Sequence, residues 1–337
     1  MGKRQFDDKK VLITGIAGTV GRALARELVK SGVKSIIGVD NNEPGLFLAT
    51  REQDIEFVPI LGDIRDEDTL NRVCKGVEVV FHLAALKHVS LCEMNPLEAI
   101  KTNILGVKNV IDAALKNDVS QVINTSTDKA VNPFNVMGTS KLMGEQLIRA
   151  ANLIPSETKF SSIRFGNVLG SSGSVIPIFK EQISRGLPLT LTSTEMTRFV
   201  MTLQEAANLV VESALLAHGG DTYVTKMKTI RIEILAEVMI EELVNDKTVS
   251  GTSYQINKVG ARPGEKLFEE LMSSEEARRS KELENHYVIM PAMTDIYSAD
   301  TKANEPEGTV QVPYNSSTQI AMSKEELREY LRKHSII

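Results

Sequence analysis

Short apolar runs alternate with amphipathic segments through the first half of the chain. The runs predict buried strands at 10–14, 35–39, 55–61, 77–83, 122–125 and 159–165. Between them, apolar residues recur at helical spacing, as Val20, Leu24 and Leu28 do, and predict helices over 19–31, 67–74 and 96–116. Strands that alternate with helices indicate an α/β fold, a Rossmann-type doubly wound parallel sheet.

Three glycines follow the first predicted strand at a spacing that suits a phosphate-binding turn. Gly15, Gly18 and Gly21 lie between the strand and the helix, where glycine lets the backbone approach a pyrophosphate. Asp40 follows the second strand, where a carboxylate accepts from ribose hydroxyls and repels a 2′-phosphate. The pattern predicts a site for NAD in preference to NADP; beside the same turns lie Ala17, Thr19, Val20 and Asn41.

Residues after the next two strands are placed to extend this site. Asp63 and Ile64 suit the adenine edge, where an acid accepts from the amino group and an apolar side chain packs on the ring. A turn acid that caps the helix at 67–74 is the alternative for Asp63. Ala84 and Ala85 allow close approach of a cofactor, and Lys87 faces either the site or solvent.

The chain from residue 171 onward is less regular. One clear helix is predicted at 232–243, and a charged run lies near 275–284. We expect the chain to leave the sheet after about Phe165 and to build a smaller lobe that supplies the substrate pocket. The predicted domains are a dinucleotide-binding domain over 1–170 and a smaller substrate-binding lobe over 171–337, partly interleaved with the first.

Composition limits the kinds of partner and compartment that we expect for this protein. A net charge of −5 supplies no basic excess for nucleic-acid phosphates. Cys74 and Cys92 match neither a metal site nor a disulfide framework, which favours a reduced, cytoplasmic protein without a bound metal. No apolar run approaches the ~20 residues that span a bilayer, and the charged start of the chain has no apolar signal region. His82 lies inside an apolar run and is interpreted as a core histidine.

A polar stretch after the strand at 122–125 carries the candidate chemistry. It reads STDKAVNPFNVMGTSK, with Thr127, Asp128 and Lys129 at the strand end and Lys141 on the helix that follows. The carboxyl ends of parallel strands are where open α/β sheets bind ligands. Taken alone, these residues are equally well explained as a helix cap with a surface ion pair.

Five strings lie between residues 81 and 271, within a region of about residues 10–276 that includes the glycine turn: FHLAALKHV, STDKAVNPFNVMGTSK, RFGNVLGSSGSVIPIFKEQI, EMTRFVMT and ARPGEKLFEEL. With the glycine turn, they resemble the extended short-chain dehydrogenase/reductase superfamily. Within it they are similar to the UDP-N-acetylglucosamine 4,6-dehydratases of capsular-polysaccharide and flagellin-glycosylation type, in their short forms without a membrane region. The resemblance implies oxidation at C4, loss of water across C5–C6 and hydride return to C6, with a tightly bound NAD regenerated in each cycle.

The superfamily keeps a tyrosine four residues before the helix lysine, where this chain has Met137. A thioether has no proton to exchange, so the resemblance implies that other groups carry the proton chemistry. It assigns Asp128 to the C4 and C6 hydroxyls and Thr127 to a hydrogen bond with the C4 hydroxyl. Lys129 would remove the C5 proton, provided that burial lowers its pKa toward neutrality. Lys141 would hold the nicotinamide ribose.

The same resemblance implies the substrate contacts. Asn167, Arg198 and Arg262 would bind the diphosphate, for which the guanidinium fork is suited, and Glu265 would accept from the uridine ribose. Three positions have plain alternatives as strand or exposed helix residues: Thr190 and Thr192 beside the uracil, and Lys180 near the diphosphate. The remaining assigned positions are Lys87, Thr127 and Val175 for substrate and Asn103, Thr125, Phe165 and Asn167 for cofactor.

Other functions remain open. An epimerase on the same cofactor fold needs no base at C5, and a dinucleotide-binding regulator with a decayed site would explain Met137. The string NPFNVMG resembles the dehydratases that retain the C5 configuration, with inversion as the alternative. The apolar faces of the helices that begin near 96 and 136 either form a subunit interface of a homodimer or larger homo-oligomer, as in relatives, or pack internally.

Overall fold

The computed structural model describes residues 6–171, 173–244, 255–260, 264–292, 310 and 312–337. The strands are β1 Lys10–Thr14, β2 Ser35–Asp40, β3 Val58–Leu61, β4 Val79–His82, β5 Gln121–Thr127, β6 Lys159–Phe165, β7 Asn167–Val168, β8 Leu189–Leu191, β9 Thr197–Met201, β10 Thr222–Thr225, β11 Lys228–Arg231, β12 Ile256–Lys258, β13 Glu270–Met272, β14 Ser280–Glu282, β15 His286–Ile289 and β16 Tyr314–Asn315.

The helices are α1 Thr19–Lys30, α2 Glu43–Ala49, α3 Glu67–Val73, α4 Val89–Met94, α5 Pro96–Ile100, α6 Gly106–Lys116, α7 Val136–Ala151, α8 Val175–Ser184, α9 Leu203–Leu216, α10 Ile232–Val244, α11 Ser274–Ala277 and α12 Lys324–Lys333. A π-helical turn, Lys101–Leu105, joins α5 to α6, and a 3₁₀ turn, Asp128–Ala130, follows β5. None of the helices within the described ranges combines the length and apolar character needed to cross a membrane.

A nine-stranded sheet forms the centre of the molecule, in the order β14-β15-β10-β6-β5-β4-β1-β2-β3. The strands from β10 to β3 in this order pair in parallel, whereas β15 and β14 are antiparallel to their neighbours. The predicted α/β fold with a Rossmann-type parallel sheet is confirmed. The strand order reverses between β1 and β4, and the crevice at that point is where such sheets bind ligands.

The chain leaves the nine-stranded sheet after Phe165, since β7, β8 and β9 belong to other sheets, but it returns to that sheet at β10, which the sequence did not predict. β10, β14 and β15 all come from beyond residue 170 and extend the sheet past β6. The physical reason is that β6 would otherwise be an open edge; Tyr223 and Val224 of β10 are buried beside it. The sheet therefore draws strands from both predicted domains.

Helices cover both faces of the sheet. On one face, α1 and α9 pack over a cluster that includes Ile13 and Phe81; on the other, α3, α6 and α7 pack over Leu12 and Val122. A separate cluster joins α8, α10 and α12 into a smaller lobe. Successive residues of β1 thus contribute to the core layers on opposite faces, as expected of a sheet that is buried on both sides.

Candidate active site

The glycine turn after β1 is packed too tightly for any other residue. Gly15 has φ of 76°, and a Cβ there would lie 2.7 Å from the backbone nitrogen of Ala84. A Cβ at Gly21 would lie 2.3 Å from the carbonyl oxygen of Gly15. Gly18 precedes α1 and supplies no side-chain cap, so the first N–H groups of α1 are left for an anion.

Asp40 joins the turns after β1 and β2. Its carboxylate accepts from the backbone N–H of Ala17 at 2.9 Å and from that of Asn42 at 3.0 Å. A carboxylate has about four acceptor positions, so acceptor capacity remains for ribose hydroxyls. The neighbouring Asn41 donates to Asp63 at 3.2 Å. The predicted residues around the glycine turn therefore lie together and fit a dinucleotide.

Asp63 does not cap α3; Asp66 does, by accepting from the backbone N–H of Asp68. The alternative of a capping role for Asp63 is therefore wrong. The Arg65 guanidinium, which contacts Asp63 at 2.6 Å, lowers the pKa of that carboxyl. Ile64 is buried and packs against α6, where a Cβ at Gly106 would lie 2.6 Å from Ile64 Cδ1.

Lys141 lies under the end of β5. Its Nζ donates to the carbonyl oxygen of Thr125 at 2.6 Å, and burial lowers its pKa to about 8 against the opposing charge of Glu145. Met137 is only 3% exposed and packs with Cys92 and Ala99. The position that holds a tyrosine in the superfamily thus contributes an apolar contact here.

The helix predicted over 96–116 is interrupted by the π-helical turn, and Asn103 lies in it. Asn103 accepts from the N–H of Leu86 at 2.8 Å and donates to its carbonyl oxygen at 2.9 Å and to Ser140 Oγ at 2.9 Å. The turn points a buried amide at the loop after β4, a use typical of π turns at functional sites. This loop carries Ala84 and Ala85, which are partly buried, and Lys87, which is exposed.

His82 is a core histidine, as interpreted from the sequence. Its Nδ1 lies 2.7 Å from Thr14 Oγ1, and it is 1% exposed. Burial, with the charge of Lys141 adding to it, lowers the pKa of His82 to about 3. The imidazole is therefore neutral at physiological pH.

Four charged side chains meet beyond the end of β5, and we call them the charged site cluster: Asp128, Lys129, Arg198 and Glu269. Lys129 Nζ lies 3.0 Å from Asp128 Oδ1 and 3.2 Å from Glu269 Oε1. Thr127 Oγ1 donates to Asp128 Oδ1 at 2.7 Å and accepts from the N–H of Lys129. Thr127 does cap the short turn, but Asp128 is fully buried, so the alternative of a surface ion pair is wrong.

The expectation that burial lowers the pKa of Lys129 is also wrong. Burial does disfavour its charge, but the carboxylates of Asp128 and Glu269 outweigh that effect and raise the pKa of Lys129. Lys129 is therefore an ammonium in this arrangement. A proton must leave it before it can act as a base.

Glu269 is the residue that sequence reasoning missed. It is 2% exposed, and burial followed by the charge of Asp128 raises its pKa. One signal was present: Glu269 stands in the apolar string LFEEL, where a charged residue needs a partner. The partner, Lys129, lies far away in sequence, so spacing alone could not identify the pair.

Arg198 and Asn167 approach the site from β9 and β7. The guanidinium of Arg198 donates to three backbone carbonyl oxygens, those of Thr197, Lys266 and Leu267, and its Nε lies 3.6 Å from Glu269. Arg198 therefore holds the 266–267 loop against the cluster. Asn167 Oδ1 is buried without a hydrogen-bond partner among the described residues, which leaves an acceptor available to a ligand. Phe165 ends β6 beside them and is partly buried.

The other predicted substrate residues are spread over the smaller lobe. Thr192 Oγ1 donates to Glu265 at 3.2 Å, so these two lie together, while Thr190 accepts from Gln182. Lys180 is exposed and donates to the carbonyl oxygen of Ile336, so the structure places it as the exposed helix lysine of the alternative and not at the cluster. Val175 begins α8 and packs on the lobe's core. Arg262 lies outside the described residues.

Comparison with known proteins agrees with this architecture. Residues 11–291 match the model of a family described as polysaccharide biosynthesis protein. An uncharacterized membrane protein of Methanocaldococcus jannaschii is 43% identical over 98% of both chains. A protein of Rickettsia conorii named UDP-glucose 4-epimerase is 37% identical over 97% of this chain and 96% of its own.

Solved structures show the same fold. Pen from Bacillus thuringiensis has a TM-score of 0.91 and 37% identity, covering 98% of this chain and 99% of that chain. A dTDP-glucose 4,6-dehydratase from Streptomyces venezuelae, solved with NAD bound, has a TM-score of 0.67 and 21% identity over 77% of this chain and 86% of its own. The short-chain dehydrogenase/reductase fold is thereby shown.

Proposed function

The chain belongs to the polysaccharide biosynthesis protein family, and from that premise we propose that it is an NAD-dependent UDP-N-acetylglucosamine 4,6-dehydratase. The proposed product is a UDP-4-keto-6-deoxy-N-acetylhexosamine with the C5 configuration retained. The observation that carries the proposal is the Asp128–Lys129 pair at the carboxyl end of β5, 3.0 Å apart and next to the Thr127 hydroxyl, with Asp128 buried and Lys129 partly exposed. Dehydration needs such an acid–base pair in addition to a redox cofactor.

The cofactor would lie across the switch point of the sheet. The N–H groups at the start of α1 would face its pyrophosphate, Asp40 its adenosine ribose and Lys141 its nicotinamide ribose. NAD, when bound, supplies the acceptor for the C4 hydride and returns it to C6. Asp40 favours NAD over NADP because a carboxylate repels a 2′-phosphate.

The proton chemistry would lie on the strand end, since Met137 has no exchangeable proton. Asp128 would receive the proton of the C4 hydroxyl and deliver one to the departing C6 hydroxyl, with Thr127 orienting the C4 hydroxyl. Lys129 would exchange the C5 proton. Both groups lie on one turn, so a sugar placed over it is within reach of each.

The nucleotide part of the substrate would occupy the smaller lobe. Asn167 of β7, with its open buried acceptor, and Arg198 of β9, a member of the cluster, would bind the diphosphate. Arg262 would add a guanidinium for the diphosphate, and Glu265 would accept from the uridine ribose beside Thr192. These assignments follow the resemblance of the strings RFGNVLG, EMTRFVMT and ARPGEKLFEEL.

A second candidate is a UDP-sugar 4-epimerase, which the Rickettsia conorii relative's name favours. Epimerisation at C4 needs one acid–base group and no base at C5. Two ionisable groups 3.0 Å apart, Lys129 and Asp128, exceed that requirement. We therefore rank dehydration first.

Incubation of the purified protein with UDP-N-acetylglucosamine in deuterated water tests the proposal. NMR should show a C6 methyl group, a ketone or its hydrate at C4, and one solvent deuterium at C5 with unchanged configuration. Lys129→Ala should abolish this product, whereas Lys108→Ala, on the exposed side of α6, should not. A C4 epimer, or no product at all from the wild-type protein, would refute the dehydratase proposal.

Homo-oligomer formation is a further part of the proposal. Large apolar side chains on α4, α5 and α7 are exposed: Leu91, Met94, Leu97, Ile100 and Met143. An exposed apolar surface on adjacent helices is typical of a subunit interface. Light scattering should give at least a dimer, and Leu97→Glu should shift the mass toward the monomer.

A further inference from the structure

Glu269 is anchored at the charged site cluster by its own backbone. Its N–H donates to Ser316 Oγ at 3.0 Å, and its carbonyl oxygen accepts from the N–H of Ser316 at 2.8 Å. The side chain reaches Lys129 Nζ at 3.2 Å, and Asp128 reaches the same atom at 3.0 Å. Lys129 is thus held between two buried carboxylates that come from distant parts of the chain.

The cluster leaves two buried oxygens open. Asp128 Oδ2 and Glu269 Oε2 are buried and lack a hydrogen-bond partner within the described part of the chain. The charged groups that face Glu269 are Asp128 and Lys129 from the 3₁₀ turn and Arg198 from β9. A purely structural ion pair would satisfy all of its oxygens, because unpaired buried acceptors are costly.

The arrangement raises a difficulty for base catalysis. The two carboxylates hold Lys129 as an ammonium, and an ammonium cannot accept the C5 proton. Two carboxylate oxygens lie within reach of the Lys129 proton, Asp128 Oδ1 at 3.0 Å and Glu269 Oε1 at 3.2 Å. Because the proposed function uses Asp128 for the protons of the C4 and C6 hydroxyls, Glu269 is the acceptor that remains for the proton of Lys129. This transfer turns a buried ion pair into two neutral groups and leaves the total charge of the cluster unchanged. A sugar that excludes water from the cluster favours the neutral pair, because desolvation penalises the ions.

We propose that Glu269 is a positioning residue that takes up the proton of Lys129, so that the neutral amine can remove the proton at C5. The inference rests on the proposed dehydratase function. In the forward step, an N–H bond of Lys129 breaks and an O–H bond forms on Glu269. The C5–H bond then breaks, and its proton binds Lys129 Nζ.

The cycle closes without any outside acid or base. When hydride has returned to C6, Lys129 donates one of its solvent-exchangeable N–H protons to C5 and is neutral again. Glu269 then returns the stored proton to Lys129, and the resting ion pair is restored. The raised pKa of Glu269, caused by burial and by Asp128, is consistent with a group that holds a proton in this site.

The variant Glu269→Gln tests this role, since glutamine has the same shape but does not take up the proton. Without Glu269, the proton of Lys129 must leave to solvent while Asp128 still stabilises the ammonium. At neutral pH kcat should fall about 10²-fold, and it should recover about tenfold per pH unit toward alkaline pH. The wild-type kcat should be nearly independent of pH in that range, because its transfer is internal.

Two further measurements separate this role from a structural one. With substrate deuterated at C5, the isotope effect on kcat should be larger in Glu269→Gln than in the wild type, because C5–H cleavage becomes limiting. Glu269→Asp keeps a carboxylate and should restore a flat pH profile with intermediate kcat. Glu270→Gln, at the neighbouring residue that contacts Asn132, is the matched control and should behave as wild type.

The outcomes test the role of Glu269 separately from the dehydratase function. If the wild type makes the 4-keto-6-deoxy product and Glu269→Gln has unchanged kcat, pH profile and isotope effect, the role of Glu269 is refuted while the dehydratase proposal stands. If Glu269→Gln is folded by circular dichroism yet stays slow at all pH values, Glu269 is only structural and the role is likewise refuted. If the wild type makes no such product, both proposals fail.

Discussion

Two buried clusters in this molecule combine two acids with arginine, and they differ in how completely their groups are satisfied. In the first, which we call the structural triad, Arg164 of β6 lies between Glu145 of α7 and Glu276 of α11. All five guanidinium N–H groups donate, two to each carboxylate and one to the carbonyl oxygen of Leu271. In the charged site cluster, Asp128 and Glu269 each keep a buried oxygen without a partner.

One buried glutamate in each cluster has a shifted pKa, and the two shifts have opposite directions. Although burial opposes it, the Arg164 guanidinium lowers the pKa of Glu276 to about 2. Burial and the charge of Asp128 raise the pKa of Glu269. A satisfied cluster stabilises the ionised acid, whereas a buried acid with an unsatisfied oxygen favours protonation, and pKa shifts of this kind are typical of functional sites. The comparison therefore separates a fully satisfied group of charges, which suits a structural role, from an incompletely satisfied group, which suits the proposed proton transfer.

The largest effect is expected from Asp128→Asn, which should lower kcat about 10³-fold with little change in stability. Asparagine keeps the shape of Asp128 but carries no proton between the C4 and C6 hydroxyls. The midpoint of thermal unfolding should stay near the wild-type value, because the buried charge that is removed was incompletely paired. Product formation and calorimetry on the same sample measure both quantities. A large loss of stability with normal turnover per folded molecule would reverse the roles of the two clusters.

Glu145→Gln should have the opposite profile. Glutamine offers one acceptor oxygen in place of two, so one N–H group of Arg164, which is 1% exposed, loses its partner, and an unsatisfied buried donor costs about 1–3 kcal/mol of unfolding free energy. Turnover per folded molecule should remain near wild type. Urea unfolding measures the loss, and Asp112→Asn, in an exposed pair on α6, should cost less than about 1 kcal/mol. Equal losses of unfolding free energy in Glu145→Gln and Asp112→Asn would show that the buried triad stabilises the fold no more than an exposed ion pair does.

The contrast between the clusters also explains what the sequence could predict. The glycine turn, Asp40 and the Thr127–Lys129 turn are contiguous strings whose chemistry depends on local spacing, and the structure brings them to one edge of the sheet. Glu269 lies just before β13 and Glu276 lies in α11, and both belong to an irregular region without clear periodicity. Their partners, Lys129 and Arg164, lie more than one hundred residues earlier. Such pairings are decided by tertiary packing and cannot be read from local spacing. The direction of the pKa shift of Lys129 depends on one of these pairings, and for that reason the sequence did not predict it.

The contribution of the structural triad to stability should depend on pH, because Glu276 titrates in acid. Its folded pKa of about 2 lies below the ordinary value of 4.5, so the stabilisation is complete above pH 4.5 and is lost as pH falls toward 2. At about 1.4 kcal/mol per pKa unit, this amounts to about 3 kcal/mol. Glu276→Gln should lower stability at neutral pH and show a correspondingly weaker loss between these pH values. A variant with the same acid dependence as wild type would assign the acid sensitivity to other carboxyl groups.

The smallest effect on the free energy of unfolding is expected from Glu269→Gln, and here the variant should be more stable than the wild type. A carboxyl whose folded pKa is raised gives its full stability below the unfolded pKa and loses it as pH rises through the folded pKa. Glutamine resembles the protonated acid, so the variant should be more stable than wild type at neutral pH, by about 1 kcal/mol. The difference should vanish in acid, where wild-type Glu269 is protonated too. Urea unfolding of both proteins at neutral and acid pH measures it, with Glu270→Gln as the control. A destabilised Glu269→Gln at neutral pH would mean that Glu269 holds the fold as Glu276 does, and the distinction between the two clusters would be lost.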